Sequence, residues 1–235
     1  MSTTDHAKII WEFLKDKGLN DFAIAGLMGN LQAESSLNPK NLQGSYEKKL
    51  GFTDEEYTNA VDSGEYDNFV KDKAGYGLAQ WTYWSRKEKL LNFAKENNAS
   101  VGDLSMQLEF LWKELQGYKS VMSKLQKATS ILEASNAVLT GYEKPANQGE
   151  SAQTKRASFG QAYYDTYAKP QKTEPAHVEK VEAVCVTHIV RSGDTLWEIS
   201  KKYLGSGVKW KQIAELNGIH GSLIRTGQVL KIPQK

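Results

Sequence analysis

Apolar residues near the N-terminus follow the spacing of an α-helix. They recur with a period of about 3.6 residues at Ile9, Ile10, Phe13 and Leu14. The run stops at Gly18, so the pattern predicts a first helix that ends there.

A second and more apolar helix is predicted after Asn20, whose side chain can cap it. Its large apolar residues are Phe22, Ile24, Leu27, Met28 and Leu31. It also contains Gly26 and Gly29, and a glycine inside a helix costs roughly 1 kcal/mol relative to alanine. We therefore expect a central helix whose backbone is closely approached by its neighbours. Pro39 prevents the helix from continuing.

Three later helix starts match the capping box, a hydroxyl residue followed three positions later by glutamate. The pairs are Thr53 with Glu56, Ser85 with Glu88, and Ser130 with Glu133. Further helices are predicted over the leucine-rich run 104–115 and over 152–167. Residues 40–50 and 74–82 favour short strands or loops. The first part of the chain is thus predicted to be α-rich with a small β or irregular insert.

The composition changes at AKPQKTEPAHVEKVEAV, residues 168–184, which combines prolines with alternating lysine and glutamate and contains no aromatic residue. This is typical of a solvated linker. We predict a first domain over 1–168, a linker over 169–186 and a small domain over 187–235. The small domain shows a strand–helix–helix–strand pattern, so the predicted fold class is α+β.

Length and composition suit a medium domain followed by a small one, with 235 residues of which 40% are hydrophobic and 25% charged. No apolar run approaches the ~18 residues of a membrane-spanning helix, so we expect no membrane insertion. The N-terminus has no basic segment followed by an apolar one, so we expect no secretory signal. The oligomeric state stays open.

The sequence offers no pattern for a cofactor or a metal ion. Cys185 is the single cysteine, and no two of the four histidines are spaced to share a metal. We therefore predict no cofactor and no metal site. His188, within a predicted strand, is expected to be structural.

The two domains carry opposite charge. Residues 1–168 hold 19 lysines and arginines against 22 acidic residues, whereas residues 187–235 hold 8 against 3. A basic module suits a polyanionic partner such as nucleic acid, anionic lipid or a bacterial wall. Charge alone does not choose among these partners.

The small domain resembles LysM, a domain that binds glycans containing N-acetylglucosamine. The resemblance rests on VRSGDTLWEIS, IAELNGI and LIRTGQVLKIP, which cover nearly the whole module in order. It implies a βααβ fold with a shallow sugar groove between two loops and excludes nucleic acid as the expected partner. The implied glycan-binding residues are Gly193, Asp194, Thr195, Leu196, Leu223, Ile224 and Arg225. Leu196 and Ile224 are equally well explained as core residues.

Glu34, in GNLQAESSLNP, stands at the end of the apolar second helix. Burial and the negative end of the helix both disfavour a charged carboxylate there, which suits a general acid. Position alone favours an exposed structural glutamate instead.

The segment GYGLAQWTYWSRKEKL, residues 75–90, contains four aromatic residues in a short glycine-containing stretch. Such a density suits stacking against sugar rings, although an aromatic core cluster is the alternative. The candidate substrate-binding residues are Tyr76, Gln80, Trp81, Tyr83, Trp84 and Arg86.

Together GNLQAESSLNP and GYGLAQWT resemble the lysozyme-like peptidoglycan glycosidases of phages, and most closely the phage-tail-type lysozyme domain. The segment LTGYEKPANQ and the last aromatic helix fit the way such domains close. The resemblance covers about 1–168. It implies that Glu34 is the general acid and that Gln80 lies near it, where it binds substrate or positions a water.

Glycoside hydrolysis normally needs a second carboxylate at a defined distance from the acid. Asp72 is the first candidate, because it comes just before the aromatic segment. A capping or salt-bridge role explains Asp72 equally well. Lytic transglycosylases need no second carboxylate.

The sequence therefore predicts an endolysin-type peptidoglycan hydrolase, with muramidase the favoured activity and peptidoglycan the partner. A phage endolysin would be held in the cytoplasm of the infected or lysogenic bacterium before it acts on the wall. The alternatives are a lytic transglycosylase, a glucosaminidase, or a non-catalytic wall-binding phage protein.

Overall fold

The computed structural model describes residues 3–168, 185–191, 193–219 and 224–233. The chain divides into two compact units, Met1–Lys172 and Thr173–Lys235. Residues 169–184, most of the predicted linker, lie outside the described residues.

The first unit is built from helices, as predicted. Over residues 3–168 they are α1 (Thr3–Asp16), α2 (Asp21–Ser35), α3 (Gly44–Leu50), α4 (Asp54–Ser63), α5 (Trp84–Glu96), α6 (Leu104–Gly117), α7 (Lys119–Lys127), α8 (Ile131–Val138) and α9 (Glu150–Tyr167), with a π-helical turn at Leu139–Glu143.

Helix α2 lies at the centre of this unit and packs mainly against α8 and α9. Asn20 caps it by accepting a hydrogen bond from the Ala23 amide at 2.9 Å, as predicted. A Cβ on Gly29 would lie 2.2 Å from the carbonyl oxygen of Arg156, and a Cβ on Gly160 would lie 2.5 Å from that of Ala25. The glycines therefore let α9 contact the backbone of α2, which confirms the expected close approach.

The predicted helix caps have different outcomes. Thr53 and Glu56 form a complete capping box at the start of α4. Ser130 caps α8 by accepting from the Glu133 amide, but the Glu133 carboxylate accepts from the residue before Ser130. The prediction for Ser85 is wrong, since this residue lies inside the first turn of α5.

The insert between α2 and α5 is only partly as predicted. Residues 44–50 form α3 rather than a strand or loop, and this helix has no buried residue whose spacing could have indicated it. Residues 74–82 are irregular. They are held by isolated antiparallel bridges from Tyr76 to Leu42 and to Trp81.

The second unit has the predicted strand–helix–helix–strand order. Its elements are β1 (Cys185–Ile189), α10 (Leu196–Leu204), a 3₁₀ turn (Gly207–Lys209), α11 (Trp210–Leu216) and β2 (Val229–Pro233). The strands pair antiparallel with Thr187 opposite Lys231. Buried aliphatic residues from both helices and β2 form the core between the sheet and the helices.

Candidate active site

A polar cavity of about 470 Å³ opens in the first unit. Its volume lies within the ~300–1,000 Å³ of typical ligand sites. The end of α2, the irregular segment before α5, and the π-helical turn with the residues after it supply most of its wall. The lining residues are Glu34, Gln43, Ala79, Gln80, Thr82, Tyr83, Arg86, Glu143, Lys144 and Pro145.

Glu34 lies in the last turn of α2, and its carboxylate forms an ion pair with Arg156 of α9 at 2.6 Å. The side chains of Glu34 and Arg156 are 18% and 11% exposed. Arg156 also donates to the carbonyl and side-chain oxygens of Asn30, at 3.3 and 3.4 Å. The sequence did not indicate this arginine, because it comes from a helix distant in the chain. Its position follows from the close approach of α9 at Gly29.

Asp72 is not among the cavity-lining residues, and the structure favours its salt-bridge alternative. Its side chain is 1% exposed and pairs with the fully buried Lys87 at 2.6 Å. It also accepts from the Tyr57 hydroxyl and the Ala74 amide, at 2.5 and 2.9 Å. These contacts leave no open face to a sugar, so the expected role as second catalytic carboxylate is corrected to a structural one.

Two of the four predicted sugar-stacking rings are core residues. Tyr76 and Trp81 are fully buried, with the Tyr76 hydroxyl bonded to Thr58 and the Trp81 indole to Glu114. Both rings therefore belong to the core, which corrects their predicted role.

Tyr83 and Trp84 are exposed, at 63% and 51%. Their ring centroids are 6.0 Å apart, and Tyr83 lies at the edge of the cavity. Sugar stacking stays a prediction for these two rings.

Gln80 lines the cavity together with Glu34, as the family resemblance implied. Its amide donates to both oxygens of Asn41, at 3.0 and 2.9 Å. Its backbone φ is 44°, in the left-handed region that few non-glycine residues adopt. A Cβ on Gly75 would lie 2.6 Å from the Gln80 side-chain oxygen, so this glycine leaves room for Gln80 at the cavity wall.

Arg86 also lines the cavity, but its guanidinium is held by Glu114 through two hydrogen bonds of 2.9 and 2.8 Å. Trp81 and Tyr142 donate to the same carboxylate. Burial alone would raise the pKa of Glu114, but the hydrogen bond and charge of Arg86, together with the hydrogen bonds from Trp81 and Tyr142, lower this pKa. Glu114 is therefore ionised and fixes Arg86 in place.

Glu143 is a cavity residue that the sequence reasoning missed. It is the last residue of the π-helical turn, and its Oε1 atom is buried with no hydrogen-bond partner among the described residues. Burial, reinforced by the negative charge of Glu34, raises the pKa of Glu143 well above its usual range. The segment LTGYEKPANQ had indicated how the domain closes, but it gave no sign that this glutamate lines the same cavity as Glu34. π-Helical turns occur frequently at functional sites.

The predicted glycan-binding residues of the second unit divide between core and surface. Leu196 is 1% exposed and belongs to the core, which corrects its predicted groove position. Ile224 is partly buried against the same core. Leu223 lies outside the described residues. Gly193 and Arg225 are exposed, and their binding role stays a prediction.

Asp194 and Thr195 have structural contacts in the loop between β1 and α10. Asp194 accepts from the Arg191 amide and pairs with His188, each at 2.8 Å. Thr195 caps α10 by accepting from the amide of Glu198. These bonds shape the loop, and glycan contact by the two residues stays a prediction.

Over the described ranges, no group of three or more histidine, cysteine, aspartate or glutamate side chains is placed to hold a metal ion. Within the same ranges, no helix combines the length and apolar character that a membrane span requires.

The chain combines a lysozyme-like domain with a small LysM module. Residues 5–167 match the family described as phage tail lysozyme, and residues 188–233 match the LysM domain. The chain belongs to the phage tail lysozyme family, as its sequence motifs indicated.

The individual relatives are a phage protein and two proteins named as probable endopeptidases. The chain is 27% identical over 164 residues to Morphogenesis protein 1 of Bacillus phage B103, covering 66% of the chain and 38% of that protein. It is 50% identical over 46 residues to Probable peptidoglycan endopeptidase LytE of Bacillus subtilis (strain 168), covering 20% and 13%. It is 33% identical over 92 residues to Probable endopeptidase p60 of Listeria monocytogenes, covering 39% and 18%.

The matches thus span less than two fifths of each of these relatives. A lysozyme-like phage domain beside a peptidoglycan-binding LysM domain supports a cell-wall hydrolase or binder.

Proposed function

We propose that the chain is a peptidoglycan hydrolase that cleaves the β-1,4 glycan backbone as a muramidase. In this proposal Glu34 supplies a catalytic carboxyl group. The observation that carries the proposal is the position of Glu34 in a polar cavity of about 470 Å³ within a lysozyme-family domain. Glycosidases cleave their bond with carboxyl groups placed on either side of it.

The rest of the cavity suits a sugar chain. Gln43 and Thr82 contribute amide and hydroxyl groups to the cavity wall, and Gln80 contributes its side-chain oxygen, which suits the hydroxyl and acetamido groups of a sugar. The exposed ring of Tyr83 at the cavity edge offers a flat apolar surface to a sugar face. A pyranose ring has polar groups around its edge and apolar faces, so polar walls with an aromatic ring at the cavity edge suit both.

The second domain would hold the enzyme on its substrate. A tethered catalytic domain meets its glycan substrate at a high local concentration, even when the tethering module binds weakly. The excess of basic residues over 187–235 favours the same surface, because Gram-positive walls carry anionic polymers.

The first experiment compares the wild type, Glu34→Gln and the exposed control Glu88→Gln for clearing of purified Gram-positive walls. We expect clearing by the wild type and the control and a loss of at least ~100-fold for Glu34→Gln, the usual scale for a catalytic carboxyl. Equal clearing by wild type and Glu34→Gln would contradict a catalytic role for Glu34.

Mass spectrometry of the released fragments then identifies the bond. A muramidase leaves N-acetylmuramic acid at the new reducing end. N-Acetylglucosamine at that end would identify a glucosaminidase, and 1,6-anhydro ends would identify a transglycosylase.

A second candidate is a wall-binding structural protein that does not cleave glycan. It is favoured by the similarity to a phage protein named Morphogenesis protein 1. Wild-type chain that sediments with walls but releases no fragments from several wall types would support this candidate over the hydrolase.

A further inference from the structure

We propose that Arg156 is the residue that positions the catalytic carboxyl group of Glu34. This inference rests on the proposed glycosidase function and assigns to the same reaction a residue outside the cavity wall. Arg156 is not among the cavity-lining residues, so it acts on a bound sugar only through Glu34. It is therefore a positioning residue rather than a catalytic one.

The guanidinium of Arg156 contacts only one of the two carboxyl oxygens of Glu34. Its Nη2 donates to Oε1 at 2.6 Å. Among the described residues, no group donates a hydrogen bond to Oε2. A carboxyl oxygen accepts such a bond whether or not the group carries a proton, so the contact orients Glu34 in either form. One oxygen is thus fixed, and the other is left for a sugar in the cavity.

A second arginine–glutamate pair beside the cavity, Arg86 with Glu114, is arranged differently. Arg86 donates to Oε1 of Glu114 at 2.9 Å and to Oε2 at 2.8 Å. The Trp81 indole and the Tyr142 hydroxyl also donate to Oε2. This carboxylate is engaged at both oxygens and is fixed in place, so the pair is structural. Glu34, held at one oxygen only, is the carboxyl group that stays accessible.

Arg156 is itself held by the buried side chain of Asn30. Its Nη1 donates to the backbone and side-chain oxygens of Asn30, at 3.3 and 3.4 Å. The Asn30 amide donates in turn to the Gly26 carbonyl at 2.9 Å and to the carbonyl and hydroxyl oxygens of Ser135, both at 3.1 Å. These bonds orient the Asn30 oxygen toward the arginine. Arg156 therefore reaches Glu34 from a base formed by α2, α8 and α9, and such supporting contacts hold a reactive group in its productive geometry.

Glu34 needs an external contact because its own helix ends beside it. The residues after α2, Ser36 and Leu37, have φ values of 53° and 59°, so no further helical turn follows Glu34. A glutamate side chain has several rotatable bonds, and ordering it is entropically unfavourable. A reactive group misplaced by about 1 Å can lose ~100-fold in rate. Because Arg156 does not line the cavity, we expect its loss to lower kcat and to leave KM nearly unchanged.

Arg156→Ala and Arg156→Lys in the full chain test the proposal, with Lys155→Ala as the control, an exposed basic residue of the same helix. Rates are measured on soluble glycan strands from Gram-positive walls and are corrected for the folded fraction by circular dichroism. We expect Arg156→Ala to lose ~10–100-fold in kcat, with KM within about twofold of the wild type. Arg156→Lys keeps the charge but cannot bridge Asn30 and Glu34, so it should retain more activity than Arg156→Ala. The control should match the wild type.

A double-mutant cycle gives an independent readout. Because Arg156 acts through Glu34, Arg156→Ala should add little to the loss that Glu34→Gln causes by itself. A residue that only stabilises the fold would lower the activity by the same factor in both backgrounds.

Three results would overturn the proposal and leave the hydrolase function intact. They are wild-type kcat in folded Arg156→Ala, a loss that appears only in KM, and losses that multiply fully in the double variant. Wall binding without cleavage by the wild type would overturn the function and this inference together.

Discussion

The buried ion pair between Asp72 and Lys87 indicates that Asp72 is a structural carboxylate and not a catalytic one. Lys87 donates to Asp72 at 2.6 Å, to the Ala74 carbonyl at 2.9 Å and to the Tyr57 hydroxyl at 3.1 Å. All three ammonium protons are thus used. Asp72→Asn would keep the shape of the side chain and remove the charge that the lysine needs.

The expected cost follows from the burial of both side chains, which are 1% and 0% exposed. Breaking such a pair by removing one partner costs about 3–5 kcal/mol, because the other charge stays buried without compensation. For a domain of this size, 1 kcal/mol shifts the melting temperature by about 2–4 °C. Asp72→Asn should therefore lower the melting temperature by roughly 6–20 °C.

The pH dependence has a defined sign. Burial lowers the pKa of Lys87 even when Asp72 is present. Without Asp72 it should fall further, so the folded variant binds fewer protons than the unfolded chain. The stability of the variant then rises with pH toward the ordinary lysine value, and its deficit relative to the wild type shrinks.

The assay combines thermal unfolding followed by circular dichroism with wall clearing at a temperature where the variant is folded. The matched control is Asp67→Asn, an exposed acid nearby in sequence. We expect low stability and nearly normal specific activity for Asp72→Asn, and wild-type behaviour for the control. An unchanged melting temperature with a ~100-fold loss of clearing would refute the structural assignment of Asp72.

Two further predictions concern the cavity and its supporting helices. Gly29→Ala should destabilise the domain by about 2 kcal/mol or more in a urea titration, because its Cβ would lie 2.2 Å from the Arg156 carbonyl oxygen. The control Gly117→Ala, whose Cβ would have nothing within 4 Å, should be neutral or slightly stabilising in the same titration. Glu143→Gln should raise the free energy of unfolding at neutral pH, because the raised pKa of Glu143 means that its ionised form is unfavourable in the folded protein. The difference in unfolding free energy between variant and wild type should vanish below the ordinary pKa of glutamate, where Glu143 is protonated in both the folded and the unfolded chain. A more stable Gly29→Ala, or a Glu143→Gln effect that grows in acid, would contradict these explanations.

Local signals in the sequence predicted much of the fold. The cap at Asn20 and the capping box at Thr53 depend on residues three positions apart, and both formed. The glycine content of α2 indicated its close packing, because glycine in a helix interior is unfavourable without such a contact. The order of elements in the small domain followed from short alternating and helical patterns.

The site was harder to predict because its contacts join distant segments. Asp72 precedes the aromatic segment, but its lysine partner lies 15 residues further on and draws the carboxylate into the core. Tyr76 is buried because Tyr57 and Phe69 surround it, with ring centroids 5.3 and 5.5 Å away. Aromatic density in one segment does not distinguish a binding surface from a core.

Glu143 had no signal of its own. It ends a π-helical turn, whose wider hydrogen-bond spacing follows no simple residue periodicity. Its distinctive environment arises only when charged groups from four helices surround it.

The contact between α2 and α9 determines when, during synthesis, the charged residues of the cavity come together. Glu34 and Arg156 are 122 positions apart, and the arginine reaches the glutamate only when α9 lies against Gly29. During synthesis Glu34 leaves the ribosome long before its cation does. The charge arrangement of the cavity is therefore completed by the last helix of the domain, and a nascent or truncated chain that ends before α9 carries the glutamate without its cation.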